Sequence, residues 1–440
     1  MTPRLLLITL LSLGLATSSV QALENNALPT GGVVEAGSAT ITQSTQQLTV
    51  DQSSQQAILG WESFNVGVDA SVHFNHQLAN SSTLNNIHGA SGSVILGDIY
   101  SNGQLIISNP NGISFGPNST VQTEGLIAST LSIANQDYLN QQYTFTGSSD
   151  QPILQQGLLS GGYVALVGPT INQQGTIQTT GDTVLAASDQ VTLSLSADHA
   201  LQVTTQGSEI LPLIDQEGTI TSSNGSILLS VDAAQQVLDE TIQSGQAEAN
   251  QLVSENGVIK LISSAGNLTA KQSIQLEAQD NAGVEVSGHI NTNSATVSAG
   301  NIQVTGKEVT IKSTASLEAK GATGGGEILV GGSWQNSDPS VQQATYTTAE
   351  AGSVMDASAT EKGDGGTIVL WSDISDSNSL TKANGKIYSE GGAKGGSGGL
   401  VETSGSVLNI DGITVSTLAF DGSANLWLLD PYNFFFSTAD

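Results

Sequence analysis

The chain has 440 residues, no cysteine and 50 glycines, with only 4% aromatic and 11% charged residues. Its 39 Asp and Glu outnumber 10 Lys and Arg, and the net charge of −29 repels nucleic acid and anionic membranes rather than binding them. Without cysteine, stability must come from a core and from backbone ladders, and frequent alternating Val, Ile and Leu argue against disorder.

Residues 1–22 read as a secretory signal. Arg4 supplies the positive start, Leu5–Leu15 the apolar stretch, and Val20-Gln21-Ala22 a small-residue cleavage site that places the mature start at Leu23. The apolar run is too short for a membrane span, which needs about 20 residues, so no integral membrane segment is expected. The mature chain keeps 39 acidic residues against 9 lysines, a net charge of −30. Between Leu5 and Ile259 there is no Lys or Arg but 20 acidic residues.

The following segment, up to Trp61, is expected to cap a stack of strands. GWESFNVG covers Gly60 to Gly67, and His73, His76 and His88 follow it. At i, i+3 on a strand, His73 and His76 point to opposite faces. Surface or turn roles are therefore expected for the histidines, with no metal site and no cofactor. Next comes Asn109-Pro110-Asn111-Gly112-Ile113, between Leu105/Ile107 and Ile113/Phe115. Asn and Gly there can take the positive φ of a tight turn.

From there on, short period-2 runs end in Gly, Asn or Ser-Gly: VALV (164–167), TVLAA (183–187), SILLSV (226–231), SIQLEA (273–278), IQVTG (302–306) and VTIKS (309–313). This rhythm predicts an all-β solenoid. Gly175-Thr176-Ile177 recurs as Gly218-Thr219-Ile220, and Gly325–Val330 recurs as Gly365–Leu370. With a coil of about 20 residues both offsets read as two coils, and the mature chain as roughly 15–20 coils. Residues 391–399 are glycine-rich and read either as a linker or as turns between resumed strands. Trp61, Trp334, Trp371 and Trp427 are expected in cap or groove packing.

NPNGI-x-FGP, with GLIAST after it and GWESFNVG before it, resembles the N-terminal secretion domain of filamentous-haemagglutinin-type exoproteins, the cargo of two-partner secretion in Gram-negative bacteria. GGTIVLWSD (365–373) and WLLDP (427–431) resemble the segment that follows that domain in large adhesins. The resemblance implies a right-handed parallel β-helix with an N-terminal cap. It also implies recognition by the POTRA domains of a dedicated outer-membrane transporter, and a secreted or cell-surface destination reached through the periplasm. By position, Asn109, Pro110, Asn111, Gly112, Ile113 and Asn65 match the family's secretion-motif residues. The chain has no NPNL tetrapeptide, and Asn85-Asn86-Ile87 stands in the comparable region.

The implied organisation is a secretion domain over 23–270, a repeat extension over 271–320 and a Gly-rich extension over 321–440, truncated near the Phe434–Phe436 run. An adhesin that binds a host-cell or bacterial surface receptor is the leading reading. A toxin stalk and a haemolysin or haem-acquisition cargo are the alternatives within the class. A polysaccharide-active β-helical enzyme and a structural rod lie outside it. No arginine follows Arg4 and no lysine precedes Lys260, so the cations such an enzyme would use are missing from the first half, and no enzyme activity is expected. Isolated turn Asp and Asn leave calcium binding open.

Overall fold

The computed structural model describes residues 23–78, 80–195, 201–206, 212–232, 258–261, 267–279 and 282–432. The signal segment and the Phe434–Phe436 run lie outside the described residues. The rest forms a parallel β-helix. Each full coil contributes one strand to each of three sheets, because Gly, Asn and Ser at the corners interrupt the alternating apolar runs. Sheet I has 14 strands, from Val33–Ala36 to Trp427–Pro431. Sheet II also has 14, from Ala39–Gln43 to Thr414–Ser416, and sheet III has 11, from Ser93–Ile95 to Val407–Asn409. Inward residues of all three stack into one core, including Val72, Leu105, Phe115, Ile177, Ile274 and Val330.

The N-terminal cap is antiparallel. Val33–Ala36 runs against Gln56–Trp61 of sheet I, with Val33 opposite Gly60, and Ala39–Gln43 runs against Gln47–Gln52 of sheet II. These two strands cover edges that would otherwise be open. Trp61 is buried beneath them and meets Phe64 edge-on at 5.6 Å.

Of the 14 strands in sheet I, all but the cap strand run parallel, so the described residues make 13 coils, fewer than the 15–20 expected from a 20-residue period. At about 4.8 Å per coil the rod is roughly 60 Å long. Some coils are much longer than 20 residues because they carry excursions, and the repeats show it. Thr176 pairs directly with Thr219, and Ile328 with Ile368, so each recurrence lies one coil apart and not two. The excursion before Thr219 includes two strands of a four-stranded antiparallel sheet, Ser132–Ile133, Tyr143–Thr146, Gln190–Leu195 and Leu201–Gln206. With the helix Asn135–Leu139 it covers the outer face of sheet I, where Tyr138, Phe145 and Val191 pack on Ile58, Leu84, Ile106 and Ile127.

The glycines of 391–399 are turns of the rod rather than a linker. Gly391 N donates to Leu418 O, Gly392 N to Gly363 O, and Gly399 N to Ser389 O, at 2.7–2.9 Å.

Candidate functional site

The NPNGI segment is a corner of the rod. Gln104–Ser108 belongs to sheet I and Ile113–Phe115 to sheet III, and the five residues carry the chain from one to the other. Gly112 N donates to Asn109 O at 3.1 Å, which closes a four-residue turn with Pro110 second and Gly112 fourth. Those are the preferred positions of Pro and Gly in a type I turn. Of the three residues able to take positive φ, only Gly112 does, at 103°. Asn109 and Asn111 serve instead through their side chains.

Asn109 is completely buried. Its Oδ1 accepts from Asn111 N at 3.0 Å, and its Nδ2 donates to Ser91 O at 3.0 Å and Ser93 Oγ at 2.9 Å. Asn111 Nδ2 donates to Gly89 O at 2.9 Å. The three bonds donated by the side-chain amides reach the preceding coil. Towards the following coil, Asn109 N donates to Ser129 O at 2.9 Å and Ile113 N to Pro152 O at 3.2 Å. Pro110 O accepts from Ser149 Oγ at 2.6 Å. The Ile113 side chain enters the core, and its backbone pairs with Ser93 on one side and Ile153 on the other.

Asn65, 44 positions earlier, works on the same strand from the other side. Its Oδ1 accepts from Val94 N at 2.8 Å, and Val66 N donates to Val94 O at 3.0 Å. The motif residues therefore converge on Ser93–Ile95, the first strand of sheet III, which Asn65 holds from below and Asn109 and the Gly112 carbonyl from above, while Asn111 fixes the preceding turn at Gly89. Every side chain in this clamp is uncharged, so its hydrogen bonds do not titrate. Pro110 and Asn111 are half-buried and are the parts of the corner a partner can touch.

Asn85 points into the core, where its Oδ1 accepts from Trp61 Nε1 at 2.9 Å and its Nδ2 donates to Ile106 O at 3.2 Å. Asn86 Nδ2 donates to Asn135 Oδ1 at 2.8 Å, and Asn135 in turn reaches Glu35 of the cap, which also meets His88 at 2.6 Å. Glu35 and Asn135 thus tie cap, first coils and outer sheet together. Only their distant pairing marks them, and no local pattern does.

His76 departs from the surface role expected of it. It is buried, its Nε2 lies 2.8 Å from Thr83 Oγ1, and burial pushes its imidazole below the ordinary value against the opposing effect of a hydrogen bond to Asn102. Thr83 Oγ1 donates to Gln52 Oε1 at 2.6 Å, so His76 Nε2 carries the proton. His73 instead packs on Tyr100 at 5.1 Å.

The family model of the TPS secretion domain matches residues 25–276. The chain belongs to this family. A TPS domain marks an exoprotein paired with an outer-membrane transporter. The crystal structure of the HMW1 secretion domain from Haemophilus influenzae superposes with a TM-score of 0.73 at 25% identity, covering 91% of this chain and all of that one. Two curated relatives from Haemophilus influenzae are each called heme/hemopexin-binding protein. They are 26% identical over 300 and 311 residues, which are 64% and 62% of this chain. The chain spans a third of the length of these relatives. Among the described residues no helix is long and apolar enough to cross a membrane.

Proposed function

We propose that this chain is an adhesin-type exoprotein, or the N-terminal part of one, exported across the outer membrane to the cell surface by a transporter whose periplasmic POTRA domains read the NPNGI corner. The observation that carries this reading is the double hold on Ser93–Ile95 by Asn65 and by Asn109, with Asn111 bracing the turn before it at Gly89. A strand fixed from two successive coils seeds sheet III, so the motif gives the emerging chain a defined register. The division into a secretion domain over 23–270 and extensions over 271–320 and 321–440 belongs to the same reading, which the family match over 25–276 supports. A haem-acquisition cargo is the second reading, favoured by the names of the two curated relatives. Both act by recognition and neither requires turnover.

Co-expression with the partner transporter tests the export step. Asn109→Val and Asn111→Val are expected to abolish appearance in the medium while synthesis and passage into the periplasm continue. Normal secretion of both variants would overturn the role of the corner.

A further inference from the structure

The outer face of sheet II differs from that of sheet I in its cover and from that of sheet III in its charge. The outer face of sheet I is covered at one end by the antiparallel sheet, and at the other by Trp334 and Ile374 packed on Leu329, Val369 and Trp371. The outward column of sheet III includes Asp215, Glu285 and Lys382 along its length. On sheet II, strand register sets His73, Tyr100, Gln122, Ser160, Gln178 and Thr221 one above the other. The column starts with two half-buried rings tilted at 45° and continues as uncharged amides and hydroxyls. It becomes charged only at Glu318 and Asp356, where Lys320 bridges the two carboxylates.

Beside Gln122, Ser160, Gln178 and Thr221 lies a groove of about 550 Å³, whose wall is formed by the turns that include Glu124 and Gly162. It is shallow and open to solvent, so a ligand would lie along it rather than be enclosed. Gln122 and Gln178 are exposed and their amides make no hydrogen bond among the described residues. Each offers both donors and an acceptor. Successive rungs advance by about 4.8 Å, close to the length of one pyranose ring along an extended glycan.

From this we infer that the outer face of sheet II is a binding groove for a neutral oligosaccharide lying along the rod axis, with a sugar ring against Tyr100 and hydroxyls on Gln122, Ser160, Gln178 and Thr221. Neutrality follows from the charges nearby. Glu124 flanks the groove and Asp98 lies against Tyr100, whose hydroxyl donates to it at 3.3 Å. No lysine or arginine lies between Leu5 and Ile259, so sulfated or sialylated chains meet only like charge. The inference deepens the adhesive reading by naming its ligand class, and it is independent of how the chain is exported.

The test uses the full chain refolded from denaturant, so a failure of export does not enter the result. Calorimetric titration and saturation-transfer NMR with maltohexaose, cellohexaose, mannohexaose and N-acetylchitohexaose are expected to show binding of at least one. Heparin hexasaccharide and a sialic acid hexamer are expected not to bind. Gln122→Ala and Gln178→Ala should each weaken binding by about 3- to 10-fold, and Tyr100→Leu by about 5- to 10-fold, with unchanged circular dichroism. Three results would overturn the proposal: no neutral probe bound up to about 10 mM, binding by the anionic probes alone, or neutral binding that the Gln122→Ala/Gln178→Ala double variant leaves intact.

Discussion

Coils in the lysine-free half and coils beyond it are joined by different side chains. In the first half the links include buried amides. Gln173 Nε2 donates to Gln155 Oε1 at 2.8 Å, and Gln216 Nε2 to Gln173 Oε1 at 2.7 Å, with all three side chains fully buried. Each also donates to a glycine carbonyl at its own corner, that of Gly157, Gly175 or Gly218. In the second half the links include ion pairs at the surface. Lys312 reaches Glu285 at 3.2 Å and Glu350 at 3.6 Å, and Lys320 reaches Glu318 at 2.9 Å and Asp356 at 3.8 Å. An amide is donor and acceptor at once, so it can repeat from coil to coil inside the rod without burying charge. A lysine must alternate with carboxylates and stay near water.

The largest effect should come from breaking the amide ladder. Gln173→Leu removes one of the two hydrogen-bond partners of Gln155 Oε1, of Gln216 Nε2 and of the Gly218 N–H, together with the bond from Gln173 Nε2 to Gly175 O. Each of the four hydrogen bonds lost contributes about 0.5–1.5 kcal/mol, so a loss of about 3 kcal/mol is expected in urea unfolding of the refolded chain. A loss below about 1 kcal/mol would put the ladder on a par with surface ion pairs and remove the contrast between the halves.

The strand runs and the corner were legible in the sequence because both are local. VALV, TVLAA and SIQLEA fall within strands of sheet I, and Asn109–Ile113 is the turn its residues suggested. Coil length was not legible, because a period survives only where nothing is inserted. The strand Gln190–Leu195 alternates like any strand of the rod, yet it pairs antiparallel outside it. The burial of His76 was hidden for a related reason. Strand alternation assigns a face, but only the neighbouring segments decide that Thr83 meets this ring and Asn102 brackets its backbone.

A middle-sized effect should separate the two halves by pH. His76 is held below its ordinary value of 6.5 by burial, so its contribution is complete above that value and is lost as the pH falls through the lower folded one. Glu402, buried in sheet I, accepts from Gln335 N and Ser404 Oγ, each at 2.8 Å. Burial raises its carboxyl above 4.5 despite those bonds, and Asp430 adds to the rise. Its contribution is complete below the unfolded value and declines as the pH climbs through the raised one. Acidification from neutral pH should therefore weaken the first coils and strengthen the last. Urea midpoints measured against pH should lose their acid-side fall in His76→Gln and their acid-side gain in Glu402→Gln. Parallel pH profiles for the wild type and both variants would show that neither group sets the balance.

The smallest effect should be ionic, and it sharpens the contrast from the other side. Lys312 and Lys320 are each about one-third exposed, at 33% and 30%, so solvent and salt screen their bridges. Exposed pairs contribute about 0–1 kcal/mol, and Lys312→Met with Lys320→Met should cost no more than about 2 kcal/mol together. Raising sodium chloride from low to high concentration should remove most of that difference, while the deficit of Gln173→Leu stays unchanged. The two sets of links differ in their response to screening even where their geometry is alike, because a buried amide contact has no net charge for salt to shield. A salt-insensitive lysine double variant would mean that its cost comes from lost packing of the lysine stems rather than from charge. The halves would then differ in composition but not in the physics that joins their coils.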